Sequence, residues 1–244
     1  YSNIENLEQY IKNYEEDNTE ENLVFHEKQD MESMQKEYML LGLRKIDGIS
    51  IQEFKNKENP IHLELGCGKG QFISQIAFQN PEINYIAIDV VDAMLGLAKR
   101  NIEEKYKEEN KEINNVVLTR FDIERILLIM NENDNVERIY INFCNPWPRG
   151  KHRKKRLTHI RQLEKYREFL KDGGEIYFKT DDDGLFIDSL SYLENSGFKI
   201  IKKTYDLENE KNFWDNIQTE HEKMFMDQGI KIKAVIAKKQ DKKD

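Results

Sequence analysis

The sequence contains few of the residues that cross-link or stiffen a chain, with two cysteines and four prolines among 244 residues. Cys67 and Cys144 belong to no C-x-x-C pair, which excludes a disulfide scaffold and favours reduced thiols. The five histidines lack metal-ligand spacing, so we predict no metal site. There is neither an apolar run of about 18 residues nor a secretory signal pattern in the first residues. We therefore expect a cytoplasmic protein that makes no contact with a membrane.

Charge is distributed unevenly along the chain. The net charge is -8, and residues 1–58 hold 14 acidic and 7 basic residues, which leaves about -1 for the rest. We predict an acidic N-terminal extension over residues 1–58, of unclear role, and one domain over residues 59–244. Within that domain, residues 149–156 read R-G-K-H-R-K-K-R. Such a run is either a solvated surface or a site that contacts phosphates, and composition alone does not decide between them.

Strand and helix patterns alternate from residue 61 onward. Strands are predicted at 61–65, 83–89, 116–121, 138–143, 175–179, 198–205 and 230–237, and helices at 71–79, 91–106, 123–130, 158–170 and 184–195, with Gly173-Gly174 ending the fourth helix. This alternation predicts an α/β fold with a largely parallel sheet and helices on both faces. In such folds the ligand lies at the carboxyl ends of the strands.

A glycine-rich turn follows the first strand as E-L-G-C-G-K-G, residues 64–70. Gly66, Gly68 and Gly70 permit a tight turn and a close approach of backbone to ligand. Gln71 stands where a dinucleotide fingerprint has another glycine, and the carboxylate of Glu64 suits a cation better than a phosphate. These features favour S-adenosylmethionine as the ligand, although a turn that serves only backbone geometry remains the alternative.

Two further carboxylates end the next two strands. Asp89 either accepts hydrogen bonds from both hydroxyls of a ribose or is only a turn residue or helix cap at the strand end. Asp122 either accepts from an adenine amino group or caps the following helix. Three acidic residues at three successive strand ends indicate an adenosine-containing cofactor more strongly than any one of them does.

The fourth strand leads into the loop N-F-C-N-P-W-P, residues 142–148, and the basic run begins at the next residue. Two prolines make this loop stiff, which lowers the entropy cost of holding a base. Trp147 either stacks on a base or covers the end of the sheet. Two more polar motifs follow, F-K-T-D at 178–181 and T-E-H-E at 219–222.

With these motifs, residues 59 to 240 resemble the bacterial tRNA (guanine-N7-)-methyltransferases. The resemblance implies a class I, Rossmann-like methyltransferase fold with a mostly parallel seven-stranded sheet. It implies methyl transfer from S-adenosylmethionine to N7 of a guanine in the variable loop, position 46 of tRNA. The implied cofactor contacts are Glu64, Asp89, Asp122 and Asn145, and Asn145 is also the implied catalytic residue. The implied substrate contacts are Arg149, Asp181, Thr219, Glu220, His221 and Glu222. The implied RNA contacts are Lys151, His152, Arg153, Lys154, Lys155 and Arg156.

The chain departs from the family pattern at four places. Asn145 stands where Asp is usual, Arg149 where Lys is usual and His221 where Tyr is usual, and the N-terminal region lacks the family's basic opening. Guanine N7 carries a lone pair and no proton, so Asn145 is expected to position groups instead of acting as a base. Asp181 and Glu222 are candidates to stabilise positive charge on the purine.

Two other functions stay open at this stage. An Asn-Pro loop at this strand end also suits an amino-group methyltransferase that acts on adenine or glutamine. The absence of the usual Asp also leaves a catalytically weak tRNA-binding protein as an alternative. Either a monomer or a homodimer is compatible with the sequence.

Overall fold

The computed structural model of the protein describes residues 54–134, 136–210, 213–214 and 216–241. Seven strands form one sheet in the order β3-β2-β1-β4-β5-β7-β6. The strands are β1 (Ile61–Leu65), β2 (Asn84–Asp89), β3 (Val116–Arg120), β4 (Val136–Asn142), β5 (Leu170–Thr180), β6 (Phe198–Thr204) and β7 (Lys233–Lys239). The first five pair in parallel, whereas β7 is antiparallel to both β5 and β6. The predicted fold class is confirmed.

Five α-helices connect the strands: α1 (Gln71–Gln79), α2 (Asp92–Glu108), α3 (Ile160–Phe169), α4 (Asp183–Asn195) and α5 (Glu220–Asp227). Short 3-10 helices lie at Ile123–Leu128, Glu132–Asp134, Gly150–Lys155 and Leu207–Asn209. No helix of the described ranges is both long and apolar enough to cross a membrane.

The two faces of the sheet differ in chemistry because strand side chains alternate between them. One face carries the main apolar core, in which Leu63, Ile139 and Phe178 pack with Leu163 and Phe186 of α3 and α4. The opposite face carries polar and aromatic groups. On it, Glu64 of β1 stands beside Tyr140 of β4, and Asn142 of β4 stands beside Lys179 of β5.

Two predicted elements need correction, and one helix was not predicted. The segment predicted as a helix over 123–130 is a 3-10 helix, with a non-helical break at Arg125. Helix α3 ends at Phe169, and Gly173-Gly174 lie inside β5 instead of ending the helix. Helix α5 was not predicted, although Thr219 followed by Glu222 is the pattern of an N-terminal capping box.

The first described residues already belong to the sheet domain. Phe54 is 3% exposed and packs in the main core, and the backbone carbonyl of Asn56 accepts a hydrogen bond from Asn84 at 2.8 Å. Most of the predicted extension over residues 1–58, that is residues 1–53, lies outside the described residues.

Candidate functional site

The carboxyl ends of the five parallel strands meet at one edge of the sheet. The glycine-rich turn follows β1 there, Asp89 ends β2, the loop with Asn145 follows β4, and Asp181 follows β5. Because β7 is antiparallel to β5, the segment that leads into β7 also reaches this edge. The predicted residues from distant parts of the sequence are therefore brought to one edge.

The glycine-rich turn leaves room beside the backbone at one glycine and packs tightly at another. Gly68 has φ +51°, and no atom lies within 4 Å of the position where a Cβ would stand. Gly70 has φ +71°, and a Cβ there would lie 2.6 Å from the Cβ of Ala98. Gly70 therefore serves the packing of the turn on α2, whereas Gly68 leaves its backbone accessible to a ligand.

Glu64 is a buried carboxyl group with one unused oxygen. Its Oε1 accepts a hydrogen bond from Asn142 Nδ2 at 3.1 Å, and its Oε2 has no hydrogen-bond partner among the described residues. Burial raises the pKa of Glu64 to about 8, against the opposing effects of the Asn142 hydrogen bond and the Lys179 charge. A buried carboxyl group with a free acceptor fits a cationic ligand, such as the ammonium and sulfonium groups of S-adenosylmethionine.

The other two predicted cofactor carboxylates are held by backbone N–H groups. Asp89 Oδ2 accepts from the N–H of Gly68 at 2.8 Å, and its Oδ1 accepts from the N–H of Val91 at 3.0 Å. Asp122 Oδ1 accepts from the N–H of Glu124 at 2.9 Å, so the capping role considered for Asp122 is present. Each carboxylate keeps lone pairs for further donors, because a carboxylate oxygen accepts more than one hydrogen bond.

The loop after β4 is strained on both sides of Asn145. Phe143 and Trp147 are non-glycine residues with φ of 53° and 41°, values that L-residues rarely adopt. Asn145 is exposed, and its Oδ1 accepts a hydrogen bond from the N–H of Trp147 at 2.9 Å. The amide nitrogen of Asn145 is left to face solvent or a ligand. Backbone strain of this kind persists only where surrounding contacts hold it, and it clusters at functional sites.

The basic run folds back on this loop. The Lys155 ammonium lies 5.2 Å from the ring centroid of Trp147, and the His152 ring meets the same indole edge-on at 5.6 Å. Trp147 is half-buried between them. The loop and the basic run therefore form one surface unit, and Arg149, Lys151, Arg153, Lys154 and Lys155 are exposed on it.

Arg156 does not fit the predicted contact with RNA. Its side chain is 3% exposed, its Nη1 lies 2.6 Å from Asp188 Oδ2, and its Nε donates to the carbonyl of Pro146 at 2.7 Å. Arg156 therefore links the Asn145 loop to α4 through buried contacts. Its guanidinium is not available to a phosphate at the surface.

The T-E-H-E segment forms the first turn of α5, and its side chains point in different directions. Thr219 is buried, and its Oγ1 accepts from the N–H of Glu222 at 3.1 Å. Glu220 is exposed and reaches the glycine-rich turn, where Lys69 Nζ lies 3.6 Å from Oε2 and Gln71 Nε2 donates to Oε1 at 3.0 Å. The exposed His221 ring stacks on Phe143 with centroids 6.2 Å apart.

The predicted substrate contacts of Thr219 and Glu222 do not fit their surroundings. The hydroxyl of Thr219 is used as the helix cap. Glu222 is 3% exposed, and its two carboxylate oxygens accept from Lys179 Nζ at 2.6 Å and from Asn216 Nδ2 at 2.6 Å. Both side chains are buried and hydrogen-bonded within the protein, so neither is exposed to a base at the surface. Asp181, by contrast, is half-buried at the strand edge.

Neither cysteine is suited to nucleophilic chemistry. Burial raises the pKa of the Cys67 thiol, and burial raises that of Cys144 to about 12. Both are free thiols that the protein environment keeps protonated. Within the described part of the chain, no group of three His, Cys, Asp or Glu side chains is arranged to hold a metal ion.

Sequence reasoning missed three residues of this edge. Lys179 is fully buried, Asn142 bonds to Glu64, and Asn216 bridges Lys179 and Glu222. A lysine next to an apolar strand run, as in I-Y-F-K, was the available signal for a buried cation. No local pattern indicated Asn216.

Comparisons with known proteins give a consistent result. The family described as "Putative methyltransferase" matches residues 58–235. A protein of Clostridium beijerinckii named tRNA (guanine-N(7)-)-methyltransferase is 60% identical over 188 residues, which is 77% of this chain and 85% of the relative. A protein of the same name from Acetivibrio thermocellus is 49% identical over 188 residues, covering 77% of this chain and 86% of the relative.

Two solved structures that resemble the fold are named as methyltransferases. A 16S rRNA methyltransferase, KamB, is 13% identical with a TM-score of 0.55, and an antibiotic-related methyltransferase is 22% identical with a TM-score of 0.53. Each match covers 78% of this chain and 90% of the other. At these identities the likeness bears on the fold alone.

Proposed function

This chain belongs to the tRNA (guanine-N(7)-)-methyltransferase family, and we propose a role for its own residues in the methyl transfer that the family name describes. The chain is an S-adenosylmethionine-dependent tRNA methyltransferase. We propose that its target is the variable-loop guanine at position 46 of tRNA. The observation that carries the assignment of residues is the meeting of the Glu64 carboxyl group, the glycine-rich turn and the Asn145 loop at one edge of the sheet.

The cofactor is assigned to the groups that end β1, β2 and β3. We assign the ammonium end of the cofactor to the unused Oε2 of Glu64 and the backbone of Gly68, and its ribose to Asp89. Asp122 keeps lone pairs for the adenine amino group while it caps the next helix. When bound there, S-adenosylmethionine would supply the methyl group that its sulfonium sulfur carries.

The residues around the base need not move a proton. N7 bears a lone pair, so in-line positioning is the main requirement, and such positioning lowers a barrier by roughly 7–11 kcal/mol. Asn145 is suited to this task because its amide is oriented by the hydrogen bond to Trp147 and keeps two donor hydrogens. Asp181 is the carboxylate we assign to stabilise positive charge that develops on the purine.

The tRNA backbone is assigned to the exposed part of the basic run. Lys151, Arg153, Lys154 and Lys155 stand on the surface beside the Asn145 loop, so phosphates held there are adjacent to the reacting base. Arg149, at the start of the run, and the exposed Glu220 and His221 are assigned to the nucleotide itself. Because the substrate is tRNA, we propose that the protein works in the cytoplasm.

Incubation with labelled S-adenosylmethionine and an unmodified tRNA transcript, followed by nucleoside analysis, tests this function. We expect 7-methylguanosine, and none with a transcript that has adenine at position 46. Label in N2-methylguanosine or 6-methyladenosine would show an amino-group methyltransferase instead. Cofactor binding without any methylated nucleoside would show a tRNA-binding protein.

A further inference from the structure

A lysine is fully buried at the carboxyl end of β5, the end at which the site lies. Lys179 is 0% exposed, and its ammonium group donates to Glu222 Oε2 at 2.6 Å, to Asn216 Oδ1 at 2.9 Å and to the carbonyl of Ile217 at 2.9 Å. All three donor hydrogens of the ammonium are thus used within the protein. All three acceptors belong to the segment that leads into α5 or to its first turn.

The partner groups also bond to one another, although Asn216 is exposed. Glu222 is 3% exposed, and its second oxygen accepts from Asn216 Nδ2 at 2.6 Å. Asn216 Oδ1 also accepts from Trp214 Nε1 at 2.9 Å. Lys179, Glu222 and Asn216 therefore form a closed network in which every charged group has its hydrogen bonds satisfied.

A pair of this kind is not needed for stability alone. Taking two charges out of water costs several kcal/mol each, and apolar residues of similar size often stabilise a protein as well or better. Burial also lowers the pKa of Lys179, although the Glu222 charge opposes that effect. Apolar packing is not directional, whereas these hydrogen bonds fix the first turn of α5 in one position on β5.

The position of the first turn of α5 matters for the site because its residues contact two of the loops that form the site. Glu220 contacts Lys69 of the glycine-rich turn, hereafter the cofactor turn, and Gln71, the first residue of α1. His221 stacks on Phe143, which begins the loop that carries Asn145. Three consecutive residues of one helical turn thus contact the cofactor turn, the Asn145 loop and the sheet. Only the contact with the sheet is buried and charged.

We propose that Lys179 is a positioning residue for methyl transfer, which acts through Glu222 to hold the first turn of α5 between the cofactor turn and the Asn145 loop. This inference rests on the proposed function. It gives Glu222 a role in place of the direct base contact that the resemblance implied. A shift of about 1 Å in such a supporting element is enough to lower turnover about 100-fold.

The test uses Lys179→Met, the double variant Lys179→Met/Glu222→Met, and Lys239→Met as the matched control. Lys239 is another largely buried lysine of the same sheet, paired with Asp172 and the carbonyl of Leu170 at the opposite edge. At saturating cofactor, we expect Lys179→Met to lower kcat by roughly 10- to 100-fold and to change the KM for tRNA by less than about threefold. Lys239→Met should retain the kcat of the unaltered protein.

The double variant separates positioning from mere structural support. Removing both charges relieves the unpaired Glu222, so we expect its thermal stability to exceed that of Lys179→Met while kcat stays low. If kcat recovers together with stability, the pair is only structural and the proposal is overturned.

Amide hydrogen exchange without tRNA gives a readout that does not depend on activity. Residues 216–227 should exchange faster in Lys179→Met and in the double variant than in the unaltered protein or in Lys239→Met. Unchanged protection of this segment would overturn the proposal even if activity fell. If the unaltered protein made no 7-methylguanosine, the proposed function would fail, whereas the exchange result would still decide whether Lys179 holds the segment.

Discussion

Replacing Glu64 with glutamine should make the protein more stable and at the same time a poorer binder of its cofactor. The folded protein raises the pKa of Glu64 from 4.5 to about 8, mainly because the carboxyl group is fully buried. Between these two values the folded state keeps a proton that the unfolded state releases. The free energy of unfolding therefore falls as the pH rises from about 4.5 to about 8, and stays lowered above that range.

The size of the effect follows from the shift. One pKa unit corresponds to 1.36 kcal/mol, so a shift from 4.5 to about 8 lowers stability by at most about 5 kcal/mol above pH 8. Glutamine has nearly the same shape and no charge, so Glu64→Gln should remove most of this pH-dependent cost. The stability difference between the two proteins should be small at pH 5 and grow to its full size by pH 8.

Urea denaturation at pH 5 to 9, without cofactor, measures this difference. Glu82→Gln serves as the control, because Glu82 is an exposed carboxylate just before β2. In a parallel calorimetric titration, Glu64→Gln should weaken S-adenosylmethionine binding roughly 10- to 100-fold, as expected for loss of a charged hydrogen-bond partner. Parallel stability curves for Glu64→Gln and the unaltered protein would refute the reasoning, since Glu64 would then titrate normally in the folded state.

Four other changes test the remaining assignments. Asp89→Ala should weaken cofactor binding by about 1.5–3 kcal/mol through loss of the ribose acceptor, and unchanged affinity in calorimetry would contradict that role. Lys154→Gln/Lys155→Gln should lower tRNA affinity and flatten its dependence on salt, and an unchanged slope would place the phosphate contacts elsewhere. Arg156→Met should lower the unfolding free energy by roughly 1–3 kcal/mol, because Asp188 and the carbonyl of Pro146 lose a charged hydrogen-bond donor while Arg153 still pairs with Asp188, and stability equal to that of the unaltered protein in urea would contradict this. Asn145→Ala should lower single-turnover methylation far more than tRNA affinity, whereas Asn145→Asp should stay active; if only Asn145→Asp is active, a carboxylate is essential.

Local patterns predicted the strands well because each parallel strand is a short apolar run bounded by turn residues. Ile61–Leu65 and Val116–Arg120 lie almost where the sequence placed them. The glycine pair at 173–174 was misread because glycine often ends a helix, whereas here it lies inside a long strand. Helix α5 has only eight residues, and its capping signal was read as part of a functional motif instead.

The direction of a polar side chain was the main property that the sequence did not reveal. Arg156 and Lys155 are neighbours in one basic run, yet one is buried against Asp188 and the other lies over Trp147 on the surface. Lys179 and Glu222 are 43 positions apart, so no local pattern indicates that they form a pair. Contacts of this range are set by the packing of the sheet, and residue spacing within a motif carries no information about them.

The buried charges of the polar sheet face explain why the carboxyl group of Glu64 remains available to the cofactor. Lys179 is near enough to Glu64 to lower the pKa of that carboxyl group, yet it makes no hydrogen bond to it, because its three donors are engaged by Glu222, Asn216 and the carbonyl of Ile217. A Lys179 ammonium bonded to Glu64 would occupy an oxygen of that carboxyl group and leave it without a free acceptor for a cationic cofactor. The acceptors at the start of α5 thus engage all three donors of Lys179, and Glu64 Oε2 has no hydrogen-bond partner among the described residues. The same contacts that hold the first turn of α5 in place thus also leave one oxygen of the Glu64 carboxyl group without a hydrogen-bond partner.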